Sequence, residues 1–213
     1  MEIAILVFDG LTALDAVGPS EVLWRLPGAE LRYVGKERGP VQTETGPLRV
    51  FADHALEEVA EPDILVVPGG MGTRALLDDE ELLDWVRAVH ERTRWTTSVC
   101  TGSLILAAAG LLDGMPATGH WLQMDRLAEL GAEPTGRRVV REGKIITAAG
   151  VSSGIDMALE LAALEAGDEV AQAIQLSIEY DPQPPFDAGS PEKAPEAIVE
   201  LVRTRAAARE PAR

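Results

Sequence analysis

The chain has 213 residues, 46% of them hydrophobic, with one cysteine and a formal net charge of −16. That length and apolar fraction fit one α/β domain with a substantial core. So acidic a surface repels phosphate backbones and anionic bilayers, so neither nucleic acid nor membrane is expected as a partner.

A lone cysteine forms no internal disulfide and suits a reducing compartment. Met1-Glu2-Ile3 lacks the basic stretch of a signal peptide, and no apolar run reaches membrane-spanning length. A soluble, cytoplasmic protein is expected. Residues 3–8 form a short apolar run closed by Asp9-Gly10, the pattern of a buried strand and a turn. Residues 12–26 read as helix, interrupted at Gly18-Pro19, and residues 30–34 as a second strand. Turn residues between β-like pieces predict a hairpin over 39–52. Residues 63–67 are a buried strand running into Pro68-Gly69-Gly70, followed by a helix over 80–94 with Leu82, Leu83, Val86 and Val89 on one face. A strand over 96–99 meets a small-residue helix over 104–112, with Cys100-Thr101-Gly102 at the junction. A hairpin follows over 139–146, then a helix from about 154 to 166, opened by a Ser153/Asp156 capping box, and another over 169–178. Three prolines in 181–186 favour an extended arm, after which Ser190-Pro191 caps a last helix that frays beyond Arg203. Strands alternating with helices specify an α/β fold with a parallel sheet covered on both faces.

Cys100 stands at the carboxyl end of a strand and the start of a helix, where open α/β sheets bind ligands. A helix N-terminus favours the thiolate, so a nucleophile with a depressed pKa is expected there rather than a small buried hydrophobe. Gly69 and Gly70 end another buried strand on the same sheet edge. They serve either as backbone N–H donors of an oxyanion hole or as a tight turn. Asp15, flanked by Leu14 and Ala16, is either a carboxyl with a raised pKa able to donate a proton or a solvated helix-start aspartate. Thr101 either orients the thiol or caps the helix. His120 is a candidate to line the pocket, whereas His54 and His90 read as structural or exposed. No spacing matches a metal site or a phosphate loop, and neither metal nor cofactor is expected.

The strand–Gly69-Gly70 turn and the strand–Cys100–helix junction together resemble the ThiJ/PfpI superfamily, related to class I glutamine amidotransferases, over nearly the whole chain to about Tyr180. Four stretches carry the resemblance: Leu14-Asp15-Ala16-Val17-Gly18-Pro19, Val99-Cys100-Thr101-Gly102-Ser103, Ala117-Thr118-Gly119-His120-Trp121, and residues 174–186. The last is the most specific and is similar to the isonitrile-hydrating branch. The resemblance implies a flavodoxin-like, mostly parallel sheet sandwiched by helices, with the cysteine on a strained strand-to-helix elbow. It implies a homodimer, a domain over 1–180, and an arm and helix over 181–213 packed on that domain or on the dimer partner. It implies catalytic roles for Asp15, Cys100 and Thr101, a small-molecule isonitrile substrate, and a covalent thioimidate on Cys100. Peptidase and glyoxalase-like relatives place a histidine after the cysteine, where this chain has Thr101. Regulator relatives continue into a helix-turn-helix region of about 100 residues, for which no room is expected here. The competing expectations are a non-catalytic binding or redox-sensing module, and glyoxalase- or hydrolase-type chemistry on small carbonyl compounds.

Overall fold

The computed structural model describes residues 1–208. In chain order the elements are β1 (Glu2–Leu6), α1 (Ala13–Leu23), β2 (Glu30–Gly35), β3 (Gly39–Gln42), β4 (Arg49–Ala52), β5 (His54–Ala55), β6 (Ile64–Val67), α2 (Thr73–Leu76), α3 (Glu80–Arg92), β7 (Trp95–Val99) and α4 (Gly102–Ala108). There follow β8 (Pro116–Ala117), α5 (Met124–Glu129), β9 (Glu133–Pro134), β10 (Val139–Glu142), β11 (Ile145–Ala148), α6 (Ser153–Ala166), α7 (Asp168–Ser177) and α8 (Glu196–Ala207). Residues Met1–Glu179 form one compact unit, and a second begins at Tyr180. In the second unit α8 follows Pro195.

The main sheet of the first unit has the order β10-β11-β7-β6-β1-β2-β5. All its pairings are parallel except β10–β11. β1 and β6 are adjacent, with Ile3, Ala4 and Ile5 opposite Ile64, Leu65 and Val66. All of these are buried, as strands covered on both faces require. α1 packs on α6, and α6 on α7; α4 packs against α3 and over β6 and β7. The chain leaves β1 towards β2 and then returns to β6 on the other side. The β1–β6 boundary is therefore the topological switch point, where carboxyl-end loops part and open α/β sheets bind ligands.

Several expectations need correction. The first helix is not interrupted, because α1 runs through Pro19. Proline removes one backbone donor, but the helix is held by its neighbour. Gly18 lies against Ile155 of α6, Gly154 meets the Pro19 ring, and Ser20 Oγ donates to the Ala16 carbonyl at 2.6 Å. Ser153 and Asp156 form no capping box. Ser153 Oγ donates to the Gly150 carbonyl, and Asp156 pairs with Arg138. Ser190-Pro191 caps no helix either, since α8 begins at Glu196. Pro195 disfavours helical geometry at Ala194, so a helix begun at Pro191 could not pass it. α8 continues through Arg203 to Ala207, and the end of the expected frayed segment, 209–213, lies outside the described residues. The 39–52 and 139–146 hairpins form as expected.

Candidate active site

Three loops at the carboxyl edge of the sheet build the site. The loop after β1 leads into α1 and Asp15, the loop after β6 carries Gly69 and Gly70, and Cys100 joins β7 to α4. Backbone bonds knit the first two. Thr12 N–H donates to the Gly69 carbonyl at 2.8 Å and Gly72 N–H to the Gly10 carbonyl at 3.0 Å.

Cys100 has φ +59°, in the left-handed region that disfavours a side chain. Its N–H donates to the carbonyls of Ala148 and Ala149, which locks the bend to the end of β11. The strained elbow implied by the resemblance is thus present. Gly102 lets α4 begin where it does, since a Cβ there would stand 2.0 Å from the Val67 carbonyl oxygen.

Asp15 is fully buried, and its Oδ2 accepts a hydrogen bond from Gly69 N–H at 3.0 Å. Its Oδ1 has no hydrogen-bond partner of ordinary length. The Cys100 thiol is close enough to interact with the carboxyl. Burial raises the carboxyl pKa from 3.8 to about 7, against the lowering effects of Gly69 N–H and the thiol. The solvated reading of Asp15 therefore falls away.

The expected depression of the thiol pKa is not found. Burial and then the Asp15 carboxylate push Cys100 well above the ordinary thiol range, and the Thr101 N–H offsets only part of this. α4 spans only seven residues, and Cys100 is largely buried. Desolvation and a like charge outweigh so short a dipole.

Gly69 and Gly70 lie on the expected edge, but their N–H groups face protein partners. Gly69 serves Asp15, and Gly70 N–H donates to Thr101 Oγ1 at 2.8 Å. Gly70 has φ +140°, and a Cβ would fall 2.4 Å from the Gly10 carbonyl oxygen, so the turn itself requires glycine. The Thr101 hydroxyl does not cap α4. It sits between Gly70 and Thr73 Oγ1, 3.0 Å away. His120 is half-buried, with Nδ1 accepting from Leu122 N–H at 3.3 Å, and burial lowers its pKa. Adjacent Gly119 passes against the Cys100 carbonyl and Ser103 Oγ. The imidazole is neutral at pH 7, with its proton assigned to Nε2 by the Leu122 contact. His54 and His90 take local partners, Asp53 Oδ1 and Thr96 Oγ1.

The sequence reading missed Glu44. The turn between β3 and β4 brings it to the same loops, where Thr12 Oγ1 donates to Glu44 Oε1 at 2.8 Å and Met71 N–H to Oε2 at 3.2 Å. No local signal in Gln42-Thr43-Glu44-Thr45 marks this, because the contact depends on how the hairpin folds back. Among the described residues, no group of three or more His, Cys, Asp or Glu side chains is placed to hold a metal ion.

A sheet of this topology with a cysteine elbow beside its switch point defines a class, and the DJ-1/PfpI family description matches residues 1–164. The chain belongs to that family. It is 45% identical to the isonitrile hydratase of Pseudomonas putida over 97% of this chain and 90% of that protein. The crystal structure of a ThiJ/PfpI family protein from Pseudomonas syringae superposes with a TM-score of 0.93 at 41% identity, covering 97% of this chain and 86% of that one. The transcriptional regulator CdhR of Pseudomonas aeruginosa is 33% identical over 81% of this chain, which spans 52% of that protein's length.

Proposed function

We propose that the protein hydrates isonitriles, R–NC, to N-substituted formamides. The observation that carries this is the likeness to the Pseudomonas putida isonitrile hydratase over almost the whole chain. The site supports it chemically, because the chain's one thiol lies beside a buried carboxyl that exchanges its proton near neutral pH.

The working form holds one proton between Cys100 and Asp15. The thiol proton passes to the Asp15 carboxylate as sulfur bonds to the terminal isonitrile carbon. Asp15 delivers that proton to the same carbon, giving the thioimidate R–N=CH–S–Cys100. Asp15, again ionised, accepts a proton from water as its oxygen adds to this carbon. The proton moves on to nitrogen, giving R–NH–CH(OH)–S–Cys100. The carbon–sulfur bond then breaks, the hydroxyl proton returns to sulfur by way of Asp15, and R–NH–CHO leaves. Atoms balance with one water added and no redox change. Thr101 N–H, directed at the sulfur, is a donor for charge developing on it. Gly69 holds the carboxyl, and the Thr101 hydroxyl holds the Gly70 turn. His120 is assigned to the pocket wall.

A redox switch at Cys100 is less well supported, because sensor thiols are exposed and rich in thiolate, and this one is buried with a raised pKa. A homodimer in the reducing interior of the cell completes the reading. Light scattering at twice the chain mass checks the assembly. The central test is formamide release from a simple aliphatic isonitrile. Cys100→Ala abolishes it, and Asp15→Asn lowers it by roughly 10²–10⁴-fold, the usual share of acid–base catalysis. The double variant is little worse than Cys100→Ala. Full activity in Cys100→Ala would remove the nucleophile from the mechanism.

A further inference from the structure

The hairpin β3–β4 pairs within itself, yet its tip is fixed to the site. Leu11 bridges Thr43 on one side and Gly70 on the other, and Glu44 N–H donates to the Leu11 carbonyl at 2.9 Å. The Glu44 carboxylate then spans the two loops that carry Asp15 and Gly70, one oxygen on Thr12 Oγ1 and the other on Met71 N–H. Glu44 is exposed, whereas Asp15 and Cys100 are 0% and 4% exposed, and its charge is near enough to act on both. We infer that Glu44 is a specificity-determining residue, a fixed negative charge at the entrance that disfavours anionic ligands and leaves the site to isonitriles with neutral or cationic substituents.

The electrostatics agree with the geometry. Glu44 acts on Asp15, Cys100 and His120 alike, in each case favouring the protonated form. Asp15 itself adds negative charge as it ionises. Arg74, in the short helix α2 that follows this loop, reaches Met71 Sδ at 3.5 Å. An anion brought to Cys100 therefore comes within range of both Glu44 and Asp15, and two hydrogen bonds keep the Glu44 carboxylate from swinging away.

The substrate class rests on the hydration reading, but the charge filter can be read without turnover, because Cys100 is the only thiol. Alkylation by neutral iodoacetamide and anionic iodoacetate, followed by intact mass, gives a ratio of rate constants. In wild type at low salt that ratio should exceed the ratio for N-acetylcysteine. In Glu44→Gln it should fall about threefold, the size expected for one partly screened charge several ångströms away. Glu44→Asp keeps the charge and should keep most of the ratio. Glu142→Gln, at the end of β10 on the opposite edge of the sheet, should leave it unchanged and so accounts for net charge. Discrimination between a carboxylate-bearing isonitrile and a neutral one of similar size should weaken by the same factor in Glu44→Gln. An unchanged alkylation ratio in Glu44→Gln would overturn the inference. So would a wild-type ratio no greater than that of N-acetylcysteine, which needs no variant to fold. Absence of hydration by wild type with the alkylation pattern intact would overturn the reaction and leave the filter standing.

Discussion

At the residue scale, Asp15 couples activity to stability. Its carboxyl titrates at about 7 in the folded chain and near 3.8 when exposed. The unfolded state therefore releases its proton first as pH rises, and folding stability falls between those two values. Above pH 7 the ionised, buried carboxylate costs about 4 kcal/mol relative to an exposed one. Asp15→Asn keeps an acceptor for Gly69 N–H and loses the charge. It should raise unfolding free energy by about 2–4 kcal/mol at pH 8, and the gain should shrink towards pH 5. Denaturant melts at the two pH values check this. The same titration sets the acid limb of catalysis. With both groups protonated no base receives the thiol proton, so kcat/KM should rise with pH through about 7 and hold into the alkaline range where Cys100 ionises. A profile flat from pH 5 to 9 would remove Asp15 from the proton path. The apolar flanks of Asp15 allowed a raised pKa but did not decide it against a solvated helix start; complete burial does. The Cys100 shift was not legible, because the sequence displays the helix start but hides the depth of burial and the facing carboxylate.

At the element scale, the elbow depends on close approach between segments far apart in the chain. Gly102→Ala would drive a methyl group into the Val67 carbonyl, so α4 must move off β6. A loss of about 2–4 kcal/mol is expected, with Cys100 displaced and turnover lost, measurable by thermal melts and by formamide release. Thr101→Val keeps the shape and removes the hydroxyl that receives Gly70 N–H. It should destabilise by about 1–3 kcal/mol, as for a buried donor left unpaired. The alternation of strands and helices was legible because β1 and β6 are continuous apolar runs and α3 carries a one-sided apolar face. Pro19 misled, because a proline reads locally as a break while the packing of α1 on α6 carries the helix past it. The short β8–β9 pair and α5 went unread, since two-residue strands and a six-residue helix leave no periodicity to detect.

At the scale of the whole molecule, the net charge of −16 opposes binding to polyanions. No DNA shift is expected at sub-micromolar protein, and a salt-dependent shift in a gel assay would contradict this. No helix among the described residues is long and apolar enough to cross a membrane. The sheet order has a further consequence. Asp15 belongs to the part of the chain before β6, while Gly69, Cys100 and His120 belong to the part after it, and the two parts meet along the β1–β6 ladder. Ala60 and Glu61, exposed between β5 and β6, offer a place to sever the chain. Each of the two fragments would hold half of the proton-transfer pair and be inert alone. Mixing them should restore formamide release only as the central ladder zips together, which makes turnover a reporter of strand complementation.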